Sequence, residues 1–177
     1  MELIFDSGSD WLMVEGKDCD NCKGTKYDTS ESIYFNERSS TEDNRTFGTI
    51  IHLKGRTVSD WVCLQLYEMC VKPFQWFIIT DQYGLPTDQV NGVLGMTQAE
   101  AFNGGYEPAN AFSTGDNLMT SLFAGGDLSV VAWSTHLSQF LYDSYIDLGG
   151  PRLDGLSNED DTVILTFPDG YFYTLEP

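Results

Sequence analysis

Along the first two-thirds of the chain, apolar positions come in short runs rather than at helical spacing. The stretches GTIIHL, SDWVCLQLY and FQWFIIT are rich in β-branched and aromatic residues and are broken by Gly, Asp, Asn and Pro. That pattern predicts short strands joined by turns. Residues 91–96 (NGVLGM) place an apolar pair between two glycines, which suits a buried strand end where backbones approach closely. Residues 104–115 read as a loop. Residues 116–122 (DNLMTSL) have helical spacing with Asp116 as a cap, and 129–140 predict a second short helix. Residues 144–150 (SYIDLGG) return to strand, followed by an acidic loop at 157–161 and two further strands at 163–167 and 171–175. No repeat, low-complexity tract or linker interrupts the pattern, so one mainly β domain with a few short helices is expected.

The first strand raises a chemical question. In LIFDSGSDWLMV, residues 3–14, three apolar residues deliver Asp6 into a turn made of Ser7, Gly8 and Ser9. Asp, Ser and Gly are ordinary turn residues, but a surface turn has no need of an apolar run before it.

Composition narrows the function classes. The 177 residues are 41% hydrophobic and 14% aromatic, enough to build a core and to exclude a disordered chain. Twenty-seven acidic against nine basic residues give a net charge of −18, which argues against nucleic acid or an anionic membrane as partner, since both are polyanions. The same charge suits work at low pH, where protonation relieves self-repulsion, and also an ordinary acidic protein. No apolar run approaches the ~20 residues of a membrane-spanning helix. No basic-then-apolar leader is visible either, which leaves a cytosolic protein or a mature or partial product.

Four cysteines bear on that choice. Cys19 and Cys22 stand in KDCDNCKG; Cys63 and Cys70 stand with six residues between them, within what reads as two strand segments and a turn. Four thiolates at a C-x-x-C and a second pair are compatible with zinc, and two local disulfides with an oxidising compartment. Asn44-Arg45-Thr46 is a glycosylation sequon, a weak pointer to a secretory route. His52 and His136 lie far apart with no ligand cluster near them, and Trp11, Met13 and Trp61 read as core fillers. Asp127, Asp143 and Asp147 read as a cap, a turn residue and a solvated strand position.

Leu3-Ile4-Phe5-Asp6-Ser7-Gly8-Ser9 resembles the apolar-apolar-Asp-Thr/Ser-Gly-Ser/Thr signature of pepsin-like aspartic peptidases. The features that follow come in the family's order. Cys19…Cys22 is similar to the small disulfide loop after the catalytic turn, and Ser39-Ser40-Thr41 to the SST before the flap hairpin. Residues 90–95 resemble the D-G-I-L-G element, 116–137 the family's helical stretch, 144–150 its L-x-F-G-G strand, and 171–175 its final Y-W-x-I-x-L strand. The likeness covers nearly the whole chain.

The resemblance implies one lobe of a bilobal acid-peptidase fold, a closed, barrel-like β structure, with residues 1–177 forming an amino-terminal lobe without its first strands. It implies that Asp6 activates a water for peptide-bond hydrolysis while sharing a proton with a second aspartate from a partner lobe. Ser7 and Ser9 would hydrogen-bond around the carboxylates, Gly8 would let the turn pass close to its counterpart, and Gly92, Leu94 and Gly95 would support the turn from below. The partners implied are a carboxy-terminal lobe or another subunit and a polypeptide substrate, with no cofactor and no metal. The compartment implied is secreted, lysosomal or vacuolar.

Two departures stand out. Asp28, Asp143 and Asp161 are each followed by Ser or Thr but lack the glycine, so Asp6 alone carries the motif. The flap hairpin, placed at 50–62, offers Leu53-Lys54-Gly55 where the family has a tyrosine before glycines, and leucine cannot supply the hydroxyl. A catalytically inactive module serving as a structural or binding subunit is the alternative.

Overall fold

The short runs become nine strands in a computed structural model, which describes residues 1–47, 50–64, 69–85, 90–96, 117–138 and 144–150. These are β1 (Ile4–Asp6), β2 (Leu12–Asp20), β3 (Asn36–Glu37), β4 (Asp43–Phe47), β5 (Ile51–Leu64), β6 (Met69–Tyr83), β7 (Gly92–Gly95), β8 (Trp133–His136) and β9 (Tyr145–Leu148), with one helix, α1 (Leu118–Gly125). The first seven form one sheet in the order β1-β7-β2-β6-β5-β3, with β4 also paired to β5; β8 and β9 form a separate hairpin. The protein is mainly β. The barrel-like closure expected of it is not formed among the described residues, where β1 and β3 stand at opposite ends of an open sheet.

The period of two along the central strands gives the sheet two apolar faces. Leu12 and Val14 of β2 join Phe74, Trp76 and Ile78 of β6 on one face, where α1 packs with Leu118, Met119 and Leu122. Met13 of β2 joins Phe77 and Ile79 of β6, Leu53 of β5 and Val93 of β7 on the other. Strands buried on both faces lose the simple apolar-polar alternation, which is why residues 76–79 are all buried. Two runs that the sequence separates, IIHL and SDWVCL, merge into the 14-residue β5 because β6, with 15 residues, pairs along its length. At the far end of that hairpin Cys63 faces Cys70 and is bonded to it, and Cys19, near the end of β2, is bonded to Cys22 just beyond it. The four thiols are therefore paired as two local disulfides, and no cluster of three or more metal-ligating side chains occurs among the described residues.

Two helix expectations need correction. The first helix starts one residue later than expected. Its cap is Asn117, whose side chain accepts the Thr120 N–H at 2.8 Å, and it ends at Gly126 in the left-handed region (φ 84°). The second does not form, because residues 133–136 pair antiparallel with β9 instead. Val130, Val131, Trp133 and Thr135 are β-branched or aromatic, and with a partner strand available that preference prevails. The loops expected at 104–115 and 157–161 and the strands expected at 163–167 and 171–175 lie outside the described residues, as do Asp143 and Asp161.

Candidate functional site

Asp6 is the last residue of β1, and the apolar residues before it are what place it there. Ile4 and Phe5 pair in parallel with Val93 and Leu94 of β7, bringing Asp6 opposite Gly95. Phe5 meets the edge of Trp133 with ring centroids 4.8 Å apart, and the Trp133 indole N–H donates to the Met96 carbonyl at 3.2 Å. The Met96 N–H in turn donates to the Asp6 carbonyl at 2.8 Å, so the backbone beneath the carboxyl is fixed from both sides.

β7 lies between β1 and β2 and bonds to both, parallel to the first and antiparallel to the second. The connection from Asp6 to Leu12 therefore has to pass over the end of β7, and Gly95 is where it passes. Its N–H donates to the Trp11 carbonyl at 2.8 Å. A Cβ there would fall 2.4 Å from the Trp11 nitrogen and 2.6 Å from the Ser9 oxygen, both backbone atoms. Gly92 is equally constrained, since a Cβ would lie 1.9 Å from the Met13 oxygen. Leu94, between them, packs its half-buried side chain on the core.

Within the turn, the Gly8 N–H donates to Asp6 Oδ1 at 2.9 Å, an Asx-type turn that fixes one carboxylate oxygen. Ser7 and Gly8 are exposed and Asp6 is half-buried, so the carboxyl faces solvent beside its own turn. Ser9 is buried, and its hydroxyl has no hydrogen-bond partner among the described residues. A fixed carboxylate open to water can take a proton from it. One carboxyl cannot at the same time protonate the departing group.

Next to the turn, Arg45 of β4 lies over the Trp11 ring at 4.9 Å and the Phe77 ring at 5.1 Å. Burial pulls its pKa down to about 10, against the opposing pull of Asp43 and Asp10. Burial pushes the Asp10 carboxyl up, while its own backbone N–H and Arg45 oppose the rise. Trp11 is thus half-buried beneath a cation, and Met13 is a core residue as expected. Trp61 is not: it is 41% exposed, stacked on Tyr34 at 3.6 Å, with the Lys72 ammonium 4.4 Å from its ring.

The hairpin expected to cover the site is β4–β5, and its position differs from the one read in the sequence. Phe47 pairs with Ile51, so the turn falls between them. Leu53 pairs with Arg45 and Gln82 and is 1% exposed, in the core beside Met13 and Phe77. Lys54 is ion-paired with Glu42 at 2.5 Å. Gly55 sits where a Cβ would be 2.0 Å from the Ile78 oxygen. Leu53, Lys54 and Gly55 are therefore interior sheet positions, drawn in by the pairing of β5 with β6, and none of them stands at a hairpin turn. Sequence reasoning passed over Phe47, the aromatic residue that closes β4 and precedes Gly48. Asn44 is exposed on β4, with Arg45 turned to the opposite face.

Other charged clusters are structural. Asp28 caps a single turn at Thr29–Glu31 and is bonded to Lys17, which holds its carboxyl down to about 2. Asp60, buried, accepts from the Tyr27 hydroxyl, from Ser32 Oγ at 2.9 Å and from the Trp61 N–H at 2.6 Å. Burial and that bond push Tyr27 up to about 12. His136 stacks on Tyr145 and His52 lies tilted beside Tyr83 with ring centroids 6.4 Å apart, the two histidines in separate sheets. A surface cavity of 410 Å³ lies beside the Cys19–Cys22 loop, lined by residues such as Asn21, Asp81 and Gln82 but not by Asp6. No helix among the described residues is long and apolar enough to cross a membrane.

No protein-family model matches the chain, and no curated protein matches it.

Proposed function

We propose that this chain is one lobe of a pepsin-like aspartic endopeptidase, in which Asp6 activates a water for peptide-bond hydrolysis together with a second aspartate supplied from outside the lobe. The observation that carries the reading is the crossing at Gly95. An apolar strand ends in Asp6, and the Ser-Gly-Ser turn after it passes over a third strand through a contact that only glycine allows. A surface cap of the same residues would need neither the buried lead-in nor the glycine beneath.

The chemistry needs one ionised and one protonated carboxyl across a bound water: the first takes the proton of the attacking water and the second polarises the carbonyl. Asp6 supplies one. The Gly8 N–H fixes one of its oxygens, and the Ser7 and Ser9 hydroxyls are available to bond around the pair. The partner is a carboxy-terminal lobe, another subunit, or a second copy of this chain that brings two Asp6 turns face to face. The two disulfides support a secreted or lumenal setting, and lysosome or vacuole is the finer form of that proposal.

The second reading is a pepsin-like module without catalysis, acting as a subunit of a larger assembly. The observation that favours it is Leu53, a buried core residue where the resemblance calls for a flap tyrosine hydroxyl. Assay of the 177-residue chain on an acid-denatured protein tests whether a second copy of this chain supplies the second aspartate, and the same assay on the chain joined to a second lobe separates the two readings. The lobe reading predicts no hydrolysis by the chain alone. Hydrolysis abolished by Asp6→Ala would establish a catalytic homodimer instead.

A further inference from the structure

Among the described residues, Glu15 is the most deeply buried ionisable side chain outside the candidate site. It lies on β2, two residues after Met13 on the same face, with Ile79 of β6 as its register partner, and its relative exposure is 0%. Neither carboxyl oxygen has a hydrogen bond of normal geometry among the described residues, although the Gly24 N–H is close enough to act on the carboxyl. Its backbone is fully committed: the N–H donates to the Asn91 carbonyl and the carbonyl accepts from the Tyr27 N–H, both at 2.8 Å. The backbone therefore holds the side chain on this face of the sheet.

A buried, unbonded carboxylate is among the costliest groups a core can hold, and the usual relief is to remain protonated. The charged group whose field reaches Glu15 is Lys26, and its ammonium is already engaged, donating to the Cys19 carbonyl at 2.8 Å. From β6 the register partner is the apolar Ile79, and along β2 the flanking same-face residues are Met13 and Lys17, the latter exposed and bonded to Asp28. The Gly24 N–H and Lys26 oppose the effect of burial without cancelling it, and the carboxyl is pushed above its ordinary value.

We propose that Glu15 is a built-in acid-dependence switch: neutral in the folded sheet at low pH, it ionises as the pH rises and loosens the strand that anchors the Asp6 turn. β2 is bonded to β7 at Leu12, Met13 and Val14, immediately before Glu15, so the strain falls on the crossing that holds the turn. The direction follows from linkage. A carboxyl whose pKa is higher folded than unfolded binds its proton more tightly in the native state. Its contribution is fully present below the unfolded pKa and is lost as the pH rises through the folded one. The overall charge of −18 pushes the same way. This inference stands apart from the peptidase reading, because its readout is stability and not hydrolysis.

The test is thermal unfolding of the full chain and of Glu15→Gln, followed by circular dichroism from about pH 3.5 to about pH 8. The two should unfold alike at the acid end. Towards neutrality the wild type should fall below the variant, by tenfold in the folding equilibrium constant for each unit by which the folded pKa is raised. Parallel profiles across the range, or a variant less stable than the wild type at neutral pH, would overturn the proposal. If Glu15→Gln does not fold, the side-chain carboxyl of Glu15 in the wild type is titrated directly by carbon-13 NMR. A midpoint above the ordinary glutamate value supports the switch, and one at or below it removes the switch.

Discussion

Replacing Gly95 by alanine puts the architecture of the candidate site under the sharpest strain. A Cβ at this position falls 2.4 Å from the Trp11 nitrogen, 2.6 Å from the Ser9 oxygen and 2.7 Å from the Ser9 carbonyl carbon. All three are backbone atoms of the turn that follows Asp6, so no rotamer change can make room. Either β7 or the turn must move, and the Gly95 N–H bond to Trp11 is lost or weakened with it. Overpacking a well-fitted interior costs about 1–3 kcal/mol when side chains can yield. With a rigid backbone on the receiving side, plus about 1 kcal/mol for a strained buried hydrogen bond, a loss of about 3–4 kcal/mol is expected. At a urea slope of about 1–3 kcal/mol per molar, the unfolding midpoint should fall by more than about 1 M. Gly125→Ala is the control: it ends α1, its nearest neighbour is Asp127 Oδ2 at 3.6 Å, and the change should be neutral or stabilising by up to about 1 kcal/mol. Urea unfolding of both variants by tryptophan fluorescence decides the matter. A Gly95→Ala chain within about 0.5 kcal/mol of the wild type would refute the crossing as the constraint on the turn.

Three further outcomes are expected. Leu53→Tyr should destabilise the chain by roughly 1–3 kcal/mol in the same assay, because the ring must enter a filled core beside Met13 and Phe77; unchanged stability would return Leu53 to an exposed hairpin. Asp60→Asn should lower the Tyr27 pKa from about 12 towards its ordinary value in a spectrophotometric titration, since Asp60 stabilises the protonated phenol, and should cost about 2–3 kcal/mol of stability through the weakened bonds to Tyr27, Ser32 and Trp61. Non-reducing peptide mapping should find Cys19 with Cys22 and Cys63 with Cys70, each closing a loop too short to reach the ~3 kcal/mol of a 15-residue loop; four free thiols or bound zinc would count against both pairings.

Local chemistry made part of this fold legible in the sequence. The apolar run before Asp6, the glycines flanking Val93 and Leu94 and the facing cysteines of the β5–β6 hairpin each state a local constraint that the fold keeps. What the sequence did not show depended on partners distant along the chain. The resemblance puts Leu53-Lys54-Gly55 at the flap, yet β6 pairs with it along the sheet, and Gly55 proves to be there for the close approach of Ile78. Residues 129–140 carry weak helical spacing that a strand arriving from 145–148 overrides. Phe47 went unnoticed because its role depends on where the hairpin turns, which register alone determines. Glu15 reads as an ordinary strand glutamate, and nothing adjacent to it signals that both faces of β2 are covered. Arg45, inside the sequon, gives no hint in sequence that it will stack beside the candidate turn.

The central claim is that Asp6 is one half of a catalytic pair. The most direct measurement compares acid hydrolysis of a denatured protein by two forms of the polypeptide in which this lobe is joined to a second one bearing an Asp-Thr/Ser-Gly motif: the wild type and Asp6→Asn. The expected result is hydrolysis at acid pH by the first and a loss of several orders of magnitude in the second, as when a residue acting in a catalytic unit is removed, with substrate binding retained. Equal hydrolysis by both forms, or none by the wild type, would contradict the account and leave the chain as a non-catalytic module.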